Sequence, residues 1–323
     1  MSAKKRQKEK HNETEIKVGG KRQKSQEEVK DQRLLGAHVS MAGGISKAIA
    51  NARGISASAF AMFTRSSRRW ESPAIPAKEI ERFKEEAKKN GYEWNCILPH
   101  GSYLVNLGSP SAEINEKSAK GFLEELQICE RLGLKMLNIH PGSTKNEITV
   151  EKCCELIAKN INWALAETND IIIVLENTAG GGGTIGRSFE ELKALIDLIE
   201  PRFRHRIGVC LDTCHLFAAN YDIRTLDAYL QTMQRFSDIV GFEYLKGMHL
   251  NDSKAALGSG VDRHELLGKG KIGLDSFRYI MNDPRMVGIP LILETPGDDV
   301  IWAQEIQLLQ SFIGTLSLDL PKE

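Results

Sequence analysis

Nine His, Asp and Glu residues in this 323-residue chain are candidate ligands for divalent metals, and six of them recur at a near-regular interval. His100, His140, Glu176, Asp212, His249 and Glu294 each follow a short apolar run, at separations of 40, 36, 36, 37 and 45 residues. His215 leaves its run together with Asp212, in Leu211-Asp212-Thr213-Cys214-His215. Asp262 and His264 stand two apart, which places both on one side of an extended loop. Imidazole nitrogens and carboxylate oxygens suit zinc or manganese. Taken singly, each has a plainer reading: a strand-end histidine that packs, or an Asp212 or Asp262 that caps a helix or orders a loop. Gathered without metal, the nine would desolvate several like charges together, so the set reads as a metal centre. With Glu176, Asp212, Asp262 and Glu294 as ligands, three divalent ions leave a charge of roughly +2, suited to a phosphate. Two ions would also suffice. Adjacent ions clamp the attacking and leaving oxygens of a displacement at phosphorus, so the reaction class is phosphodiester hydrolysis.

An interval near 40 residues is the length of one strand–helix unit. Apolar runs at 35–39, 59–63, 96–99, 136–139, 171–175, 207–211, 244–248 and 291–293 predict strands. Ile171-Ile172-Ile173-Val174-Leu175 does not alternate, as expected of a parallel strand buried on both faces. Amphipathic patterns predict helices over 76–90, 119–131, 150–168, 188–200, 226–236 and 275–281. Eight strands with intervening helices give an α/β fold, a (β/α)8 TIM barrel with its active site at the C-terminal rim of the strands. Residues 34–323 read as one such domain. Two rim segments could meet a nucleic acid: Thr64-Arg65-Ser66-Ser67-Arg68-Arg69-Trp70 and His100-Gly101-Ser102-Tyr103. The Gly180–Gly183 run lacks a following Gly-Lys-Ser/Thr, so no nucleotide cofactor is expected.

Lys plus Arg and Asp plus Glu both total 43, which excludes a strongly basic, histone-like binder. The balance is uneven: residues 1–33 carry a net +5 and the body a net −5. Residues 1–33 have no periodic apolar face and read as a basic, disordered extension. Their Lys4-Lys5-Arg6 and Lys21-Arg22-Gln23-Lys24 clusters fit nuclear import signals or extra phosphate contacts, so a nuclear location is expected, with cytoplasm or virion for a viral form. The six cysteines form no CxxC pair and suit a reducing compartment. No run reaches the roughly 18 apolar residues of a membrane span.

The strand-end segments together closely resemble the endonuclease IV family of apurinic/apyrimidinic endonucleases. They are Gly36-Ala37-His38-Val39-Ser40, Leu98-Pro99-His100-Gly101-Ser102-Tyr103, Asn138-Ile139-His140-Pro141-Gly142-Ser143 and Leu175-Glu176-Asn177-Thr178-Ala179-Gly180. Cys210-Leu211-Asp212-Thr213-Cys214-His215, Gly247-Met248-His249-Leu250-Asn251-Asp252, Val261-Asp262-Arg263-His264 and Pro290-Leu291-Ile292-Leu293-Glu294-Thr295 continue the match. The resemblance spans about Leu35 to Leu309.

It implies three zinc ions: His100 and His140 on the first, Glu176 bridging to the second, Asp212, His249 and Glu294 completing the second, and His215, Asp262 and His264 on the third. It implies cleavage of duplex DNA on the 5′ side of an abasic residue, leaving a 3′-hydroxyl and a 5′-deoxyribose phosphate, with cleaning of blocked 3′ ends. Glu294 would orient or deprotonate the attacking water, beside Glu176. Arg68 and Tyr103 would enter the DNA stack and minor-groove side, with Arg69 and Ser66 alongside, and the protein would act as a monomer. Ser66, Ser67 and Arg69 replace an amide-rich triplet of the bacterial form, and Gly101 replaces an acidic residue. A metal-dependent sugar isomerase or epimerase on a related barrel is the principal rival. The third ligand group and the Arg68/Tyr103 rim weigh against it, and the complete ligand set weighs against a non-catalytic damage binder.

Overall fold

The structure is a computed structural model and describes residues 33–318. The expected extension and its basic clusters therefore lie outside the described residues, except for Arg33. Arg33 is buried, with Nε and Nη2 donating to the carbonyls of Met281 and Asp283 at 3.1 Å. The chain forms β1 (Leu34–Ala37), α1 (Lys47–Gly54), α2 (Ala77–Lys89), α3 (Ala112–Leu132), β2 (Met136–Ile139) and α4 (Val150–Ala166). Next come β3 (Ile172–Glu176), α5 (Phe189–Leu198), β4 (Ile207–Asp212), α6 (Thr213–Ala218) and α7 (Leu226–Ile239). It ends with β5 (Leu245–Leu250), β6 (Asp252–Ser253), β7 (His264–Glu265), α8 (Leu274–Asn282), β8 (Pro290–Leu293) and α9 (Asp299–Phe312).

Six of these strands form a parallel sheet in the order β1-β8-β5-β4-β3-β2. The expected second and third strands, 59–63 and 96–99, are not regular ladders. They span the arc between β1 and β2 through isolated parallel bridges: His38 with Ala61, Phe60 with Ile97, Phe63 with His100, and His100 with Asn138. Pro99 contributes to the interruption, because it has no amide to donate to a neighbouring strand. The barrel is thus regular over six strands and irregular over the arc that carries His100.

Register places the chemistry. Ala37 pairs with Leu293, Leu293 with Leu250, Asp212 with His249, and Ile139 with Leu175. One residue beyond these paired ends lie His38, Glu294, His140 and Glu176, so residues distant in sequence share one rim. Beneath them one continuous apolar core, including Phe60, Phe122, Phe189, Phe236 and Phe277, fills the space between strands and helices. Each such fully buried side chain contributes about 1.5–3 kcal/mol.

Helix starts follow their sequence cues. Ser111, Thr149, Ser188 and Thr225 each accept the amide three residues on, at 3.2–3.4 Å. α3 begins seven residues before the expected Ala119, because its first two turns, Ala112–Ser118, are polar and lack the apolar period. α1, α6 and α9 were not expected from the pattern. All six cysteines are free and buried. Among the described residues, no helix is long and apolar enough to cross a membrane.

Candidate metal centre

The nine expected ligands converge in three groups, the first two sharing Glu176. His100, His140 and Glu176 form one, Glu176, Asp212, His249 and Glu294 the second, and His215, Asp262 and His264 the third. Within them, ligand atoms stand close enough together for one ion to reach each set. Glu176 Oε2 is 3.2 Å from His100 Nε2 and 3.5 Å from His140 Nε2. Asp262 is 3.3 Å from His215 Nε2 and 3.2 Å from His264 Nε2. In a tetrahedral zinc site with bonds of about 2.0–2.1 Å, neighbouring ligand atoms lie about 3.3 Å apart. His249 Nδ1 faces Glu176 Oε1 at 3.1 Å, Glu294 Oε2 at 3.3 Å and Asp212 Oδ2 at 3.9 Å. One N–H cannot satisfy three carboxylates, whereas a cation among them can. The donor set fits divalent metal.

The surrounding hydrogen bonds fix which atoms point inward. Nδ1 of His100 donates to the Gly101 carbonyl at 2.8 Å, Nδ1 of His215 to that of Asn177 at 2.9 Å, and Nδ1 of His264 to that of Glu294 at 3.1 Å. When neutral, each imidazole is then the tautomer with a bare Nε2, the form that ligates. Three asparagines hold the carboxylates. Asn138 donates to Glu176 Oε2. Asn251 donates to Asp212 Oδ2 at 2.6 Å and accepts the Glu294 amide at 3.0 Å. Asn177 accepts the Asp212 amide at 2.6 Å. Asp212 Oδ1 caps α6 by accepting the His215 amide at 2.8 Å, while Oδ2 faces His264 Nε2 at 3.7 Å.

Electrostatics follow from this crowding. Burial acts against ionisation of Glu176, yet His249, His140 and His100 hold its carboxyl well below the usual range. Glu294 is held low in the same way by His249 and His38. His264 is pushed up to about 9, burial being outweighed by Asp212 and the hydrogen bond with Asp262. His215 and His249 move the same way. His38 joins none of the three groups: its Nδ1 lies 2.8 Å from Glu294 Oε1, and burial lowers its pKa. His205 is exposed on the surface, and His11 lies outside the described residues.

Cys214 also comes near Asp212 and His264, and burial pushes its thiol up to about 11. Cys210 is core.

Over the first group stands Tyr103, 55% exposed, its ring 5.2 Å from that of His100 and 5.8 Å from that of His140. Arg68 and Arg69 are exposed and Ser66 half-buried on the neighbouring loop. Two residues of that loop have partners within the protein. Arg65 is buried against Glu124 and Glu125, and Trp70 is half-buried with the Lys117 ammonium 4.9 Å over its ring.

Sequence reasoning missed Asp252. Its buried carboxylate accepts the amides of Gly268, Gly270, Ile272 and Gly273 at 2.9–3.3 Å, bracing the loop that follows the β6–β7 pair. Gly268-x-Gly270 after the pair was the available signal, a turn whose amides need an acceptor.

The fold and the strand-end centre define the class, and residues 49–312 match the xylose isomerase-like TIM barrel family. Among solved structures, endonuclease IV from Thermus thermophilus is similar at 33% identity, over 87% of this chain and 99% of its own, with a TM-score of 0.76. The AsfvAP:AG structure is 20% identical over 87% and 99%, TM-score 0.69. D-psicose 3-epimerase from Clostridium cellulolyticum, solved with D-tagatose, is 14% identical over 87% and 98%, TM-score 0.61. These last two share the fold. The chain belongs to the endonuclease IV family of these barrels.

Proposed function

We propose that this protein is a DNA repair nuclease that hydrolyses the phosphodiester 5′ to an abasic residue in duplex DNA, leaving a 3′-hydroxyl and a 5′-deoxyribose phosphate. The same centre would clear phosphate-linked blocks from 3′ ends. The observation that carries the reading is the complete three-group ligand set lying beneath an open rim on which Arg68 and Tyr103 are exposed. A sugar epimerase must enclose a small substrate, whereas this rim leaves Asp262 and Tyr103 about half exposed.

His100, His140 and Glu176 would hold one zinc, Glu176, Asp212, His249 and Glu294 a second, and His215, Asp262 and His264 a third. When bound, such ions lower the pKa of water and neutralise charge building on the phosphate oxygens. The two catalytic carboxylates divide the remaining work by exposure: Glu176 is fully buried and Glu294 is 11% exposed. Glu294 therefore meets the attacking water, orients it and takes its proton. His38 supports this by holding Oε1 at 2.8 Å, which fixes the carboxylate with Oε2 turned toward His249. Tyr103 and Arg68 occupy the gap left by the missing base, where flipping the sugar out is least costly. Arg69 and Ser66 contact the adjoining backbone phosphates.

The test is a duplex with one tetrahydrofuran abasic analogue, labelled at its 5′ end and incubated with the purified protein without added magnesium. Scission on the 5′ side with a 3′-hydroxyl end, read by gel and mass spectrometry, is expected. An intact duplex after incubation with folded, metal-loaded protein would overturn the proposal and favour a sugar enzyme or a binding module.

A further inference from the structure

The rim loop carrying Arg68 and the one carrying Tyr103 belong to the irregular arc of the barrel, where ladders do not fix position. Behind the first loop lies an open cleft of about 890 Å³ whose lining includes Thr64, Arg65, Ser66, Pro73, Ile75 and Glu124. A different device fixes the loop. Glu125, on the inner face of α3 and 1% exposed, accepts Arg65 Nε at 2.9 Å through Oε1. The same carboxylate accepts the Ser102 amide at 3.2 and 3.1 Å through its two oxygens. Glu124 holds Arg65 Nη1 at 2.7 Å, and Ser102 Oγ donates across to the Ser67 carbonyl at 3.1 Å.

The anchored residues adjoin the probes: Ser67 precedes Arg68, and Ser102 precedes Tyr103. Two glycines make room for the arrangement. A Cβ at Gly121 would lie 2.8 Å from Arg65 Nη2, and one at Gly101 would lie 3.0 Å from Glu125 Oε2 and 2.9 Å from Ile139 Cγ2. A buried ion pair of this kind adds little stability compared with an apolar pair of the same volume, so its use here is placement.

We propose that Glu125 is a positioning residue that locks the Arg68 loop and the Tyr103 loop into one arrangement, so that both probes enter damaged duplex as a unit. Glu125 touches neither DNA nor metal and acts through Arg65 and Ser102. The inference rests on the proposed action on abasic duplex, and its test separates the two.

Three readouts are taken for Glu125→Gln and Ser102→Ala: bound zinc, hydrolysis of bis(4-nitrophenyl) phosphate, and Kd for abasic duplex. The small diester reads the metal centre without the rim. Zinc content and small-diester hydrolysis are expected at the unsubstituted level, with Kd for abasic duplex raised about tenfold. Tyr103→Ala is then added to each background. If the loops are locked together, it costs several-fold less affinity there than in the unsubstituted protein. Additive losses, or a fall in zinc content, would overturn the proposal, the latter because Glu125 would then be serving His100. Should Glu125→Gln fail to fold, Arg65→Lys, which keeps the charge but loses the fork that reaches Glu124 and Glu125 together, gives the same decision. If the unsubstituted protein neither binds nor cuts abasic duplex, the proposed function fails and this inference with it. Additive variants in a protein that does cut would sink the bracket alone.

Discussion

The inner and outer parts of the metal centre are built differently. Glu176, Asp212 and His249 are fully buried on paired parallel strands whose register fixes their spacing. Asp262 and His264 sit on and just before the two-residue strand β7, with Asp262 half exposed. The inner group is held by the barrel itself, and the outer group by a short antiparallel pair braced through Asp252. The spacing of the inner group thus comes from the fold, while the outer group retains access to solvent.

The largest effect should come from the inner group. Glu294→Gln keeps the size of the side chain but removes a proton acceptor and weakens a ligand. Turnover on abasic duplex should fall at least about 10³-fold, within the range general-base removal spans, while duplex affinity stays within a few-fold. Single-turnover cleavage and filter binding read the two quantities separately. Unchanged turnover would remove Glu294 from the chemistry.

Asp262→Asn probes the outer group and should cost less, about 10²-fold in turnover, comparable to losing one transition-state donor. Bound zinc should drop by one ion per chain, because His215 and His264 remain without their shared carboxylate. Loss of all metal from this single change would show that the two groups are one cooperative unit rather than an inner and an outer site.

The pH dependence of chelated protein sharpens the same contrast. His264 has a raised pKa, about 9 against an ordinary 6.5. Its charged form therefore stabilises the fold fully below pH 6.5, and that contribution is lost as pH rises to 9 and beyond. His215 and His249 act in the same direction. Chelated protein should melt several degrees lower at pH 9 than at pH 6.5, while zinc-loaded protein, whose histidines are held neutral by metal, should lack that decline. A flat profile after chelation would mean that the carboxylates do not carry these protons.

Much of this was legible in the sequence because strand ends are. A run such as Ile171–Leu175 signals a buried parallel strand, and one βα unit per ligand puts successive ligands on one rim. The arc between β1 and β2 was less legible. Runs 59–63 and 96–99 have strand composition, but Pro99 and the bridging pattern decide their pairing, and apolarity does not encode that. Asn138, Asn177 and Asn251 adjoin or lie close to ligands in the sequence, yet their role depends on which carboxylate each side chain reaches across the barrel. Arg65 shows the limit most plainly. It stands in an arginine-rich rim segment, but Glu124 and Glu125 on α3, some 60 residues away, turn it inward.

That division among the arginines gives the smallest expected effect. Arg69 is exposed and would contact a phosphate, a sequence-independent interaction whose free energy comes largely from counterion release. Arg69→Ala should weaken binding only a few-fold, equally for abasic and intact duplex, and should reduce the slope of log affinity against log salt by about 1. Arg68→Ala, by contrast, should weaken abasic duplex more than intact duplex, since its partner is the space opened by the missing base. Titrations at several salt concentrations distinguish them. If Arg69→Ala changed damage preference while leaving the salt slope alone, the probing role would belong to Arg69, and the rim's division between a probe and a phosphate contact would be reversed.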